Sequence, residues 1–187
     1  MIDPSSVAVL VERSDFAGDG EALKSRDLIL MLLKHSPAPF SRGQFTPGHI
    51  TCSGLVLGRD GESVLLVDHR RLDRWLLPGG HVEPEDAAIQ DAARREVVEE
   101  TGVALAAGMP ELVGVDVHGI PPKRGGHAGF AEPFHLHHDL LFLFRALSGE
   151  VRVSEESRAI AWCAPGEFDR YQLPGNVRRA YGRVLRR

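Results

Sequence analysis

The sequence contains few cysteines and no long apolar run. Cys52 and Cys163 are its only cysteines, and they are far apart without the spacing of a disulfide framework or a zinc site. We therefore expect two buried thiols in a reducing compartment. No segment approaches the roughly 18 apolar residues that span a membrane, and the first residues lack the basic and apolar parts of a signal peptide. These absences predict a cytoplasmic protein with no membrane partner.

Positive charge is not in excess either. The formal net charge is −4 at pH 7. Broad binding to nucleic acid needs a basic surface, so a nucleic-acid partner is disfavoured. The chain has 187 residues, of which 43% are hydrophobic and 26% are charged. This length and composition predict a soluble protein that forms one domain with a substantial core.

The segment 79–103, GGHVEPEDAAIQDAARREVVEETGV, is the most informative part of the chain. Its two glycines predict a tight turn that leads into a helix. Pro84 suits the first position of that helix, with Glu85 and Asp86 in the first turn, where carboxylates are favoured. Gly102 is suited to the C-terminal cap. The segment therefore predicts a glycine turn followed by one helix.

Helical periodicity places three glutamates on the apolar side of this helix. At about 100° per residue, Glu96, Glu99 and Glu100 fall near the stripe marked by Ile89 and Val97. An isolated glutamate-rich helix is more often a solvated face. Three inward carboxylates, however, would repel each other, and their desolvation costs several kcal/mol. A divalent cation that prefers oxygen ligands, Mg²⁺ or Mn²⁺, is the simplest compensation.

The same segment resembles the Nudix box, which reads Gly, five residues, Glu, seven residues, Arg-Glu, apolar, any, Glu-Glu, any, Gly, apolar. The second half of that pattern is matched by Arg95, Glu96, Val97, Glu99, Glu100, Gly102 and Val103. The first half departs from it. One additional residue lies between Gly80 and Arg95, and the acid at the family's early glutamate position is Asp86.

The resemblance implies a fold and a domain organisation. The fold class is α/β, a Nudix-type α/β/α sandwich around a mixed β-sheet, with a core over about residues 49–170. Apolar periodicity adds an N-terminal helical extension in 1–40 and a C-terminal helix in 174–187. We expect 1–187 to form a single Nudix domain. The N-terminal helices are expected to pack on it or, as the weaker alternative, to form a homodimer contact.

Local residue patterns predict the individual elements. These are helices from about 3 to Arg13 and from about 23 to His35, strands at 50–57, 63–69, 111–118, 135–146 and 160–163, a hairpin turn at 58–61, a long loop at 119–133 and a final helix from Asn176 to Leu185. We assign the arginines of the final helix to its solvated face. His49 is expected to be a polar residue at the start of a strand rather than a ligand.

The resemblance also implies an activity. Similar proteins are metal-dependent hydrolases that cleave the pyrophosphate linkage of a nucleoside diphosphate joined to another group. By carry-over, Glu96, Glu99 and Glu100 are catalytic residues and metal ligands, the carbonyl of Gly80 is a further metal ligand, and Arg95 orients a glutamate. Cations held there would neutralise the pyrophosphate, lower the pKa of a bound water and align that water for in-line attack. The expected partner is a small nucleotide.

Further candidates lie around the box. We expect substrate contacts from residues that precede or form the glycine turn, namely Arg70, Arg74, Gly79, Gly80 and His81. Glycine allows the backbone to approach a ligand closely and arginine suits phosphates, although loop arginines are more often only solvated. Family members often recruit an additional acid or base from beyond the box, and the candidates here are Glu132 and His137.

Two interpretations of the histidines stay open. His118 with Asp116, and His135 and His137 with Asp139, alternate as neighbours on a strand do. They could form a second metal site of the transition-metal type. No short ligand motif such as HExxH occurs, so the preferred interpretation is a set of hydrogen-bonded pocket walls.

The sequence leaves the substrate open, and two other functions compete with hydrolysis. A relative of this fold could bind a nucleotide metabolite without cleaving it, because fold alone does not determine function. A metal-dependent isomerase of a small diphosphate is the second alternative. Three crowded carboxylates favour the hydrolase, since binding alone does not require them. Among substrates, RNA is the least favoured because the chain is acidic.

Overall fold

A computed structural model describes residues 2–123 and 132–186. The helices are α1 (Pro4–Arg13), α2 (Gly20–His35), α3 (Ile89–Thr101) and α4 (Gly175–Leu185), with a 3₁₀ turn at Pro165–Glu167. The strands are β1 (Gly48–Leu57), β2 (Val64–His69), β3 (Arg74–Leu76), β4 (Gly79–His81), β5 (Glu111–Ile120), β6 (His135–Arg145) and β7 (Ser157–Cys163). Within these residues, every helix is too short or too polar to cross a bilayer.

The strands form one mixed sheet. Its main order is β3-β2-β1-β6-β5, with β4 beside β1 and β7 beside β2. β1 and β6 run parallel, with His49 beside His137 in the register, while the other pairs are antiparallel. Side chains on the two faces alternate along each strand. The parallel pair therefore sets which side chains of β1 and β6 share a face.

Helices cover both faces of the sheet. Ile50 and Cys52 of β1 belong to the core formed with α1, α2 and α3, whereas Leu55 and Leu57 belong to the core under α4. Both cysteines are buried free thiols, as predicted. The two helical layers around a mixed sheet confirm the predicted α/β/α sandwich.

A buried ion pair joins the N-terminal helices to α4. Asp19 caps α2 by accepting a hydrogen bond from the Ala22 amide at 3.1 Å. It also accepts from Arg179 Nε at 2.9 Å and from Arg183 Nη1 at 2.6 Å. Only 13% of the Arg183 side chain is exposed. The assignment of the α4 arginines to a solvated face is therefore wrong for Arg183, because the carboxylate that pairs with it lies far away in the sequence.

We predict that Asp19→Asn lowers the free energy of unfolding by about 1.5–3 kcal/mol at pH 7, since hydrogen bonds to a charged group are lost while the amide still caps α2. Burial alone would raise the pKa of Asp19, but hydrogen bonds from Arg183, Ala22 and Arg179 lower it from 3.8. The stabilisation is therefore present above pH 3.8 and is lost as pH falls through the lowered pKa. Urea unfolding at several pH values measures this, with exposed Asp27→Asn as the control. An equal effect of both variants would contradict the prediction.

The boundaries of the box helix differ from the prediction. Gly102 adopts the left-handed conformation of a C-cap, with φ of 63°, as predicted. The helix begins at Ile89, however, and not at Pro84. Before it, Asp86 closes a turn, because its amide donates to the Glu83 carbonyl at 3.1 Å and its carboxylate accepts from the Glu83 amide at 2.8 Å. The acids expected in the first helical turn therefore lie in this turn.

The other predicted elements are present, although the ends of most strands differ from the predicted ends by a few residues. α1 and α2 end at the predicted Arg13 and His35. β5 continues to Ile120, so the expected loop at 119–133 starts later than predicted. Lys123 and Glu132 form an isolated bridge across it, and residues 124–131 lie outside the described residues. His49 is the second residue of β1, as expected for the start of a strand, and it is 1% exposed.

Candidate active site

An open cleft of about 730 Å³ lies beside the box helix. Box residues form one part of its wall, and the segment around β3 forms another. The predicted site residues that line the cleft are Arg70, Arg74, Gly79, Gly80, His81, Arg95, Glu96, Glu99, Glu100 and His137. A fold of one sheet with short turns thus brings together candidates that are spread over more than 60 positions of the sequence.

Glu100 is the most deeply buried of the three box glutamates. It is 7% exposed, and its Oε2 accepts a hydrogen bond from the Gly79 amide at 2.9 Å. Burial raises the pKa of Glu100 to about 7, and the negative charges of Glu96 and Glu156 act in the same direction. A buried carboxylate in this state is stabilised by a nearby cation.

Arg95 holds the acids of the box together. Its Nε and Nη2 donate to the two oxygens of Asp86 at 3.1 and 3.0 Å, and Nη2 also donates to the His81 carbonyl at 2.8 Å. Its Nη1 donates to Glu96 Oε1 at 2.9 Å and to Glu99 Oε2 at 3.0 Å. The hydrogen bonds that Arg95 donates to Asp86 and Glu96 raise the pKa of Arg95. Arg95 therefore fixes the geometry of both glutamates.

Asp86 has a definite place in this network. Burial alone would raise the pKa of Asp86, but hydrogen bonds from Arg95 and from the Glu83 amide hold that pKa below its ordinary value. The bidentate contact with Arg95 uses both carboxylate oxygens. Asp86, which replaces the early glutamate of the family pattern, therefore holds Arg95 in place from the turn before α3.

Glu96 and Glu99 differ in exposure. The Glu96 side chain is 15% exposed and that of Glu99 is 60% exposed. Burial raises the pKa of Glu96, although Arg95 opposes the shift. The helical phase thus placed Glu96 and Glu100 correctly, whereas Glu99 lies at the rim. In the described part of the chain, the three carboxylates do not lie within 4.8 Å of one another.

The donor set of the box suits a hard divalent cation. Glu96, Glu99 and Glu100 offer carboxylate oxygens, and the pKa values of Glu96 and Glu100 are raised by burial. Carboxylate and carbonyl oxygens are the ligands that magnesium and manganese prefer. The Gly80 backbone lies against Glu96, because a Cβ added at Gly80 would lie 2.6 Å from Glu96 Oε2. These residues therefore fit the metal that the box implies.

We predict that Gly80→Ala lowers kcat/KM by roughly tenfold to a hundredfold, because the new methyl group displaces the Glu96 carboxylate by about 1 Å. The side chain that must move is flexible, so the free energy of unfolding should change by less than about 1 kcal/mol. Steady-state kinetics and thermal unfolding measure the two effects. Gly166→Ala is the matched control, because a Cβ at Gly166 meets no heavy atom within 4 Å. Wild-type kinetics in Gly80→Ala would contradict the prediction.

Both predicted phosphate-binding arginines, Arg70 and Arg74, line the cleft. Arg70 Nε donates to the Ser157 carbonyl at 2.9 Å. Arg71, which also lines the cleft, pairs with Glu132, with 3.4 Å between Arg71 Nη1 and Glu132 Oε2. The other carboxylate oxygen, Glu132 Oε1, lies 3.8 Å from Lys123 Nζ. Arg74 lies on β3. The cleft is therefore lined by arginines as well as by the carboxylates of the box.

Polar groups of β1, β5 and β6 form the floor of the cleft. Asp139 accepts hydrogen bonds from Thr51 Oγ1 at 2.9 Å and from Ser53 Oγ at 3.1 Å, and burial raises its pKa. His118 Nδ1 lies 2.9 Å from Asp116 Oδ2. Burial acts to lower the pKa of His118, but Asp116 and Asp139 raise it above its ordinary value. His118, Asp116 and Asp139 thus have protein partners, as the preferred interpretation of pocket walls expected.

Sequence reasoning missed the place of His49 and Glu156 in this region. His49 packs against His81, His135 and His137, with ring centroids 4.9–5.2 Å apart. Burial lowers the pKa of His137 to about 2 and that of His81 to about 4. Glu156 also lines the cleft, and its charge contributes to the raised pKa values of Glu96 and Glu100. His49 could have been found only from the strand pairing, because it reaches His137 only when β1 lies parallel to β6.

Comparisons with known proteins establish the family. The sequence pattern of the NUDIX domain family matches residues 47–187. A "Probable DHNTP pyrophosphohydrolase" of Lactococcus lactis subsp. cremoris is 31% identical over 152 residues, which is 80% of this chain and 86% of that protein. A "MutT-like protein" of Streptomyces ambofaciens is 32% identical over 120 residues, 63% of this chain and 65% of that protein. The chain belongs to the NUDIX domain family.

A solved structure supports the same conclusion. The MutT NUDIX hydrolase from Burkholderia pseudomallei superimposes with a TM-score of 0.52 and 29% sequence identity, covering 72% of this chain and 96% of that one. The predicted family membership is thereby confirmed. The prediction of a hydrolase that acts on phosphoanhydride bonds is confirmed at the level of the family. Nudix hydrolases generally use a divalent metal, and relatives of this chain act on small nucleotides.

Proposed function

We propose that this protein hydrolyses the pyrophosphate linkage of a small nucleotide, with Mg²⁺ or Mn²⁺ bound by Glu96, Glu99, Glu100 and the Gly80 carbonyl. One observation carries the proposal. Glu96 and Glu99 both accept hydrogen bonds from Arg95, and Glu100 accepts one from the Gly79 amide, in one cleft that arginines also line. Such preorganised charges act on a pyrophosphate with little reorganisation.

Some residues of the box are proposed to bind the metal, and Arg95 is proposed to orient them. A divalent cation, when bound, supplies positive charge against the pyrophosphate oxygens and polarises water and phosphorus for in-line displacement. Glu96, Glu99 and Glu100 supply the negative ligand charge. Arg95 is a positioning residue, because its donors are occupied by Asp86, the two glutamates and the His81 carbonyl.

The arginines and the glycine turn are proposed to bind the phosphates. Arg70 and Arg74, with the backbone of Gly79 and Gly80, are the proposed substrate contacts, and His81 lines the same cleft. Arginine and backbone donors both suit phosphate oxygens. The names of the relatives favour a nucleoside triphosphate or a related small nucleotide as the substrate. A cytoplasmic location and a homodimer stay predictions.

The additional acid or base is proposed to be a carboxylate. His137 is the weaker of the two candidates predicted from the sequence, because a pKa of about 2 makes it a poor base at neutral pH. Glu132 is the other, and it is paired with Arg71 and Lys123. Glu156 joins Glu132 as a candidate, since it lines the cleft and raises the pKa values of Glu96 and Glu100.

The experiment that tests the function is a substrate panel. Nucleoside triphosphates, nucleotide sugars and dinucleoside diphosphates are incubated with Mg²⁺ or Mn²⁺, and the products are separated by chromatography. We expect metal-dependent release of a nucleoside monophosphate with pyrophosphate or a second phosphorylated product. Binding without turnover would instead indicate a sensor of nucleotide metabolites. A rearranged product without phosphate or nucleoside monophosphate release would indicate an isomerase.

A further inference from the structure

Three histidines meet on one face of the sheet, apart from the box carboxylates. His135 and His137 are two positions apart on β6, so they share a face. The parallel register places His49 of β1 beside His137. One ring nitrogen from each of the three residues lies within 4.8 Å of the other two. In the described part of the chain this is the group whose ligand atoms converge in the manner of a metal site.

The backbone fixes the tautomers of two of these histidines. His49 Nδ1 lies 3.1 Å from the Gln44 carbonyl, and His135 Nδ1 lies 2.9 Å from the Pro133 carbonyl. A carbonyl only accepts hydrogen bonds, so each Nδ1 carries the proton and each Nε2 carries a lone pair. Metal-binding histidines are oriented in this way by a hydrogen bond from the nitrogen that does not bind the metal.

One of these lone pairs is buried without a partner. His49 is 1% exposed, and among the described residues no hydrogen-bond donor meets its Nε2. A buried polar atom left unpaired costs about 1–3 kcal/mol. If the cluster were only a wall of hydrogen-bonded histidines, this nitrogen would be expected to have a donor. The orphaned Nε2 therefore points to a ligand that accepts its lone pair.

We propose that His49, His135 and His137 bind one transition-metal ion of the zinc class at the side of the cleft. Three imidazole nitrogens select such a metal over magnesium, which prefers oxygen ligands. Nitrogens bound to zinc at about 2.0–2.1 Å lie about 3.4 Å apart. The three ring nitrogens lie within 4.8 Å of one another, so small rotations of the side chains would bring them to this distance. Three protein ligands leave a fourth position for water or for a substrate atom.

The proposed ligands differ from those considered from the sequence. His118 is bonded to Asp116, and Asp139 is bonded to Thr51 and Ser53. They do not belong to the converging group, and His49 takes their place. Burial lowers the pKa of His49, and the charges of His135 and Arg42 act in the same direction, while that of Glu132 opposes them.

The proposal is tested by metal content and does not depend on pyrophosphatase activity. The chain is expressed without a polyhistidine tag, supplied with Zn²⁺, passed through gel filtration and assayed by mass spectrometry of metals. We expect about one zinc per chain in the wild type. In His137→Gln and in His49→Gln the zinc content should be lower by about tenfold or more. Cobalt substituted in the wild type should give the visible absorption of a low-coordinate nitrogen site.

The controls separate this site from the box. His118→Gln and Glu100→Gln should keep the zinc, because neither residue belongs to the histidine group. If His49→Gln does not fold, half-buried His137→Gln and the rise in Tm of the wild type with added zinc test the proposal. Zinc content equal in wild type and His137→Gln, zinc lost only in Glu100→Gln, or no zinc retained by the wild type would overturn it.

Discussion

Glu99→Gln and Glu100→Gln are each expected to lower kcat/KM for metal-dependent hydrolysis by at least about a hundredfold. Each substitution removes one unit of ligand charge from the site, and charge stabilisation by a bound metal contributes several kcal/mol to the transition state. Steady-state kinetics at saturating Mg²⁺ measures the loss. Glu85→Gln is the matched control, because Glu85 is an exposed glutamate of the same segment. Full activity in both variants would remove the catalytic assignment of the box.

The stability of these two variants should differ from one another. Glu99 is exposed, so Glu99→Gln should change the free energy of unfolding by less than about 0.5 kcal/mol. Burial raises the pKa of Glu100 from 4.5 to about 7, so the folded state binds this proton more tightly than the unfolded state does. Without metal, the contribution of Glu100 is therefore fully present below pH 4.5 and is lost as pH rises through about 7. Glu100→Gln should remove this decline in chemical unfolding experiments.

Arg95→Met is expected to lower the free energy of unfolding by about 3–5 kcal/mol and to abolish activity. The Arg95 side chain is 25% exposed and that of Asp86 is 6% exposed, so the substitution leaves a buried carboxylate without its cation. It also releases Glu96 and Glu99, which Arg95 holds at 2.9 and 3.0 Å. Urea unfolding and steady-state kinetics measure the two losses.

A double variant isolates the buried charge. Adding Asp86→Asn to Arg95→Met removes the unpaired carboxylate, so part of the lost stability should return while activity stays low. Arg26→Met is the control, because Arg26 pairs with exposed Asp27 and such a pair contributes at most about 1 kcal/mol. If Arg95→Met is no more destabilising than Arg26→Met, the contact between Arg95 and Asp86 is not what holds the turn against the helix.

The features of the site that follow from the regular geometry of one helix or strand could be predicted from the sequence. Helical phase placed Glu96 and Glu100 inward, and the cap at Gly102 followed from glycine's freedom to adopt a left-handed conformation. Alternation along β6 placed His135 and His137 on one face. Each of these features depends only on the geometry of a single element.

The parts that depend on distant contacts could not be predicted. The turn at Asp86 is held by Arg95 from the following helix, which delays the start of that helix to Ile89. His49 joins the histidine group because β1 pairs in parallel with β6, a strand more than 80 positions later. Only 13% of the Arg183 side chain is exposed, and its partner Asp19 precedes α2 far away in the sequence. In each case the partner is set by the tertiary fold and not by the neighbouring residues.

The most direct test of the central claim is hydrolysis in water enriched in oxygen-18. The best substrate of the panel is turned over with Mg²⁺, and the phosphorylated products are analysed by mass spectrometry. We predict one oxygen-18 atom in one phosphorylated product for each turnover, because in-line attack of water on phosphorus introduces one solvent oxygen, and turnover at least about a hundredfold slower in Glu100→Gln. Tight binding without turnover, or a product without solvent oxygen, would contradict the assignment of this cleft to pyrophosphate hydrolysis.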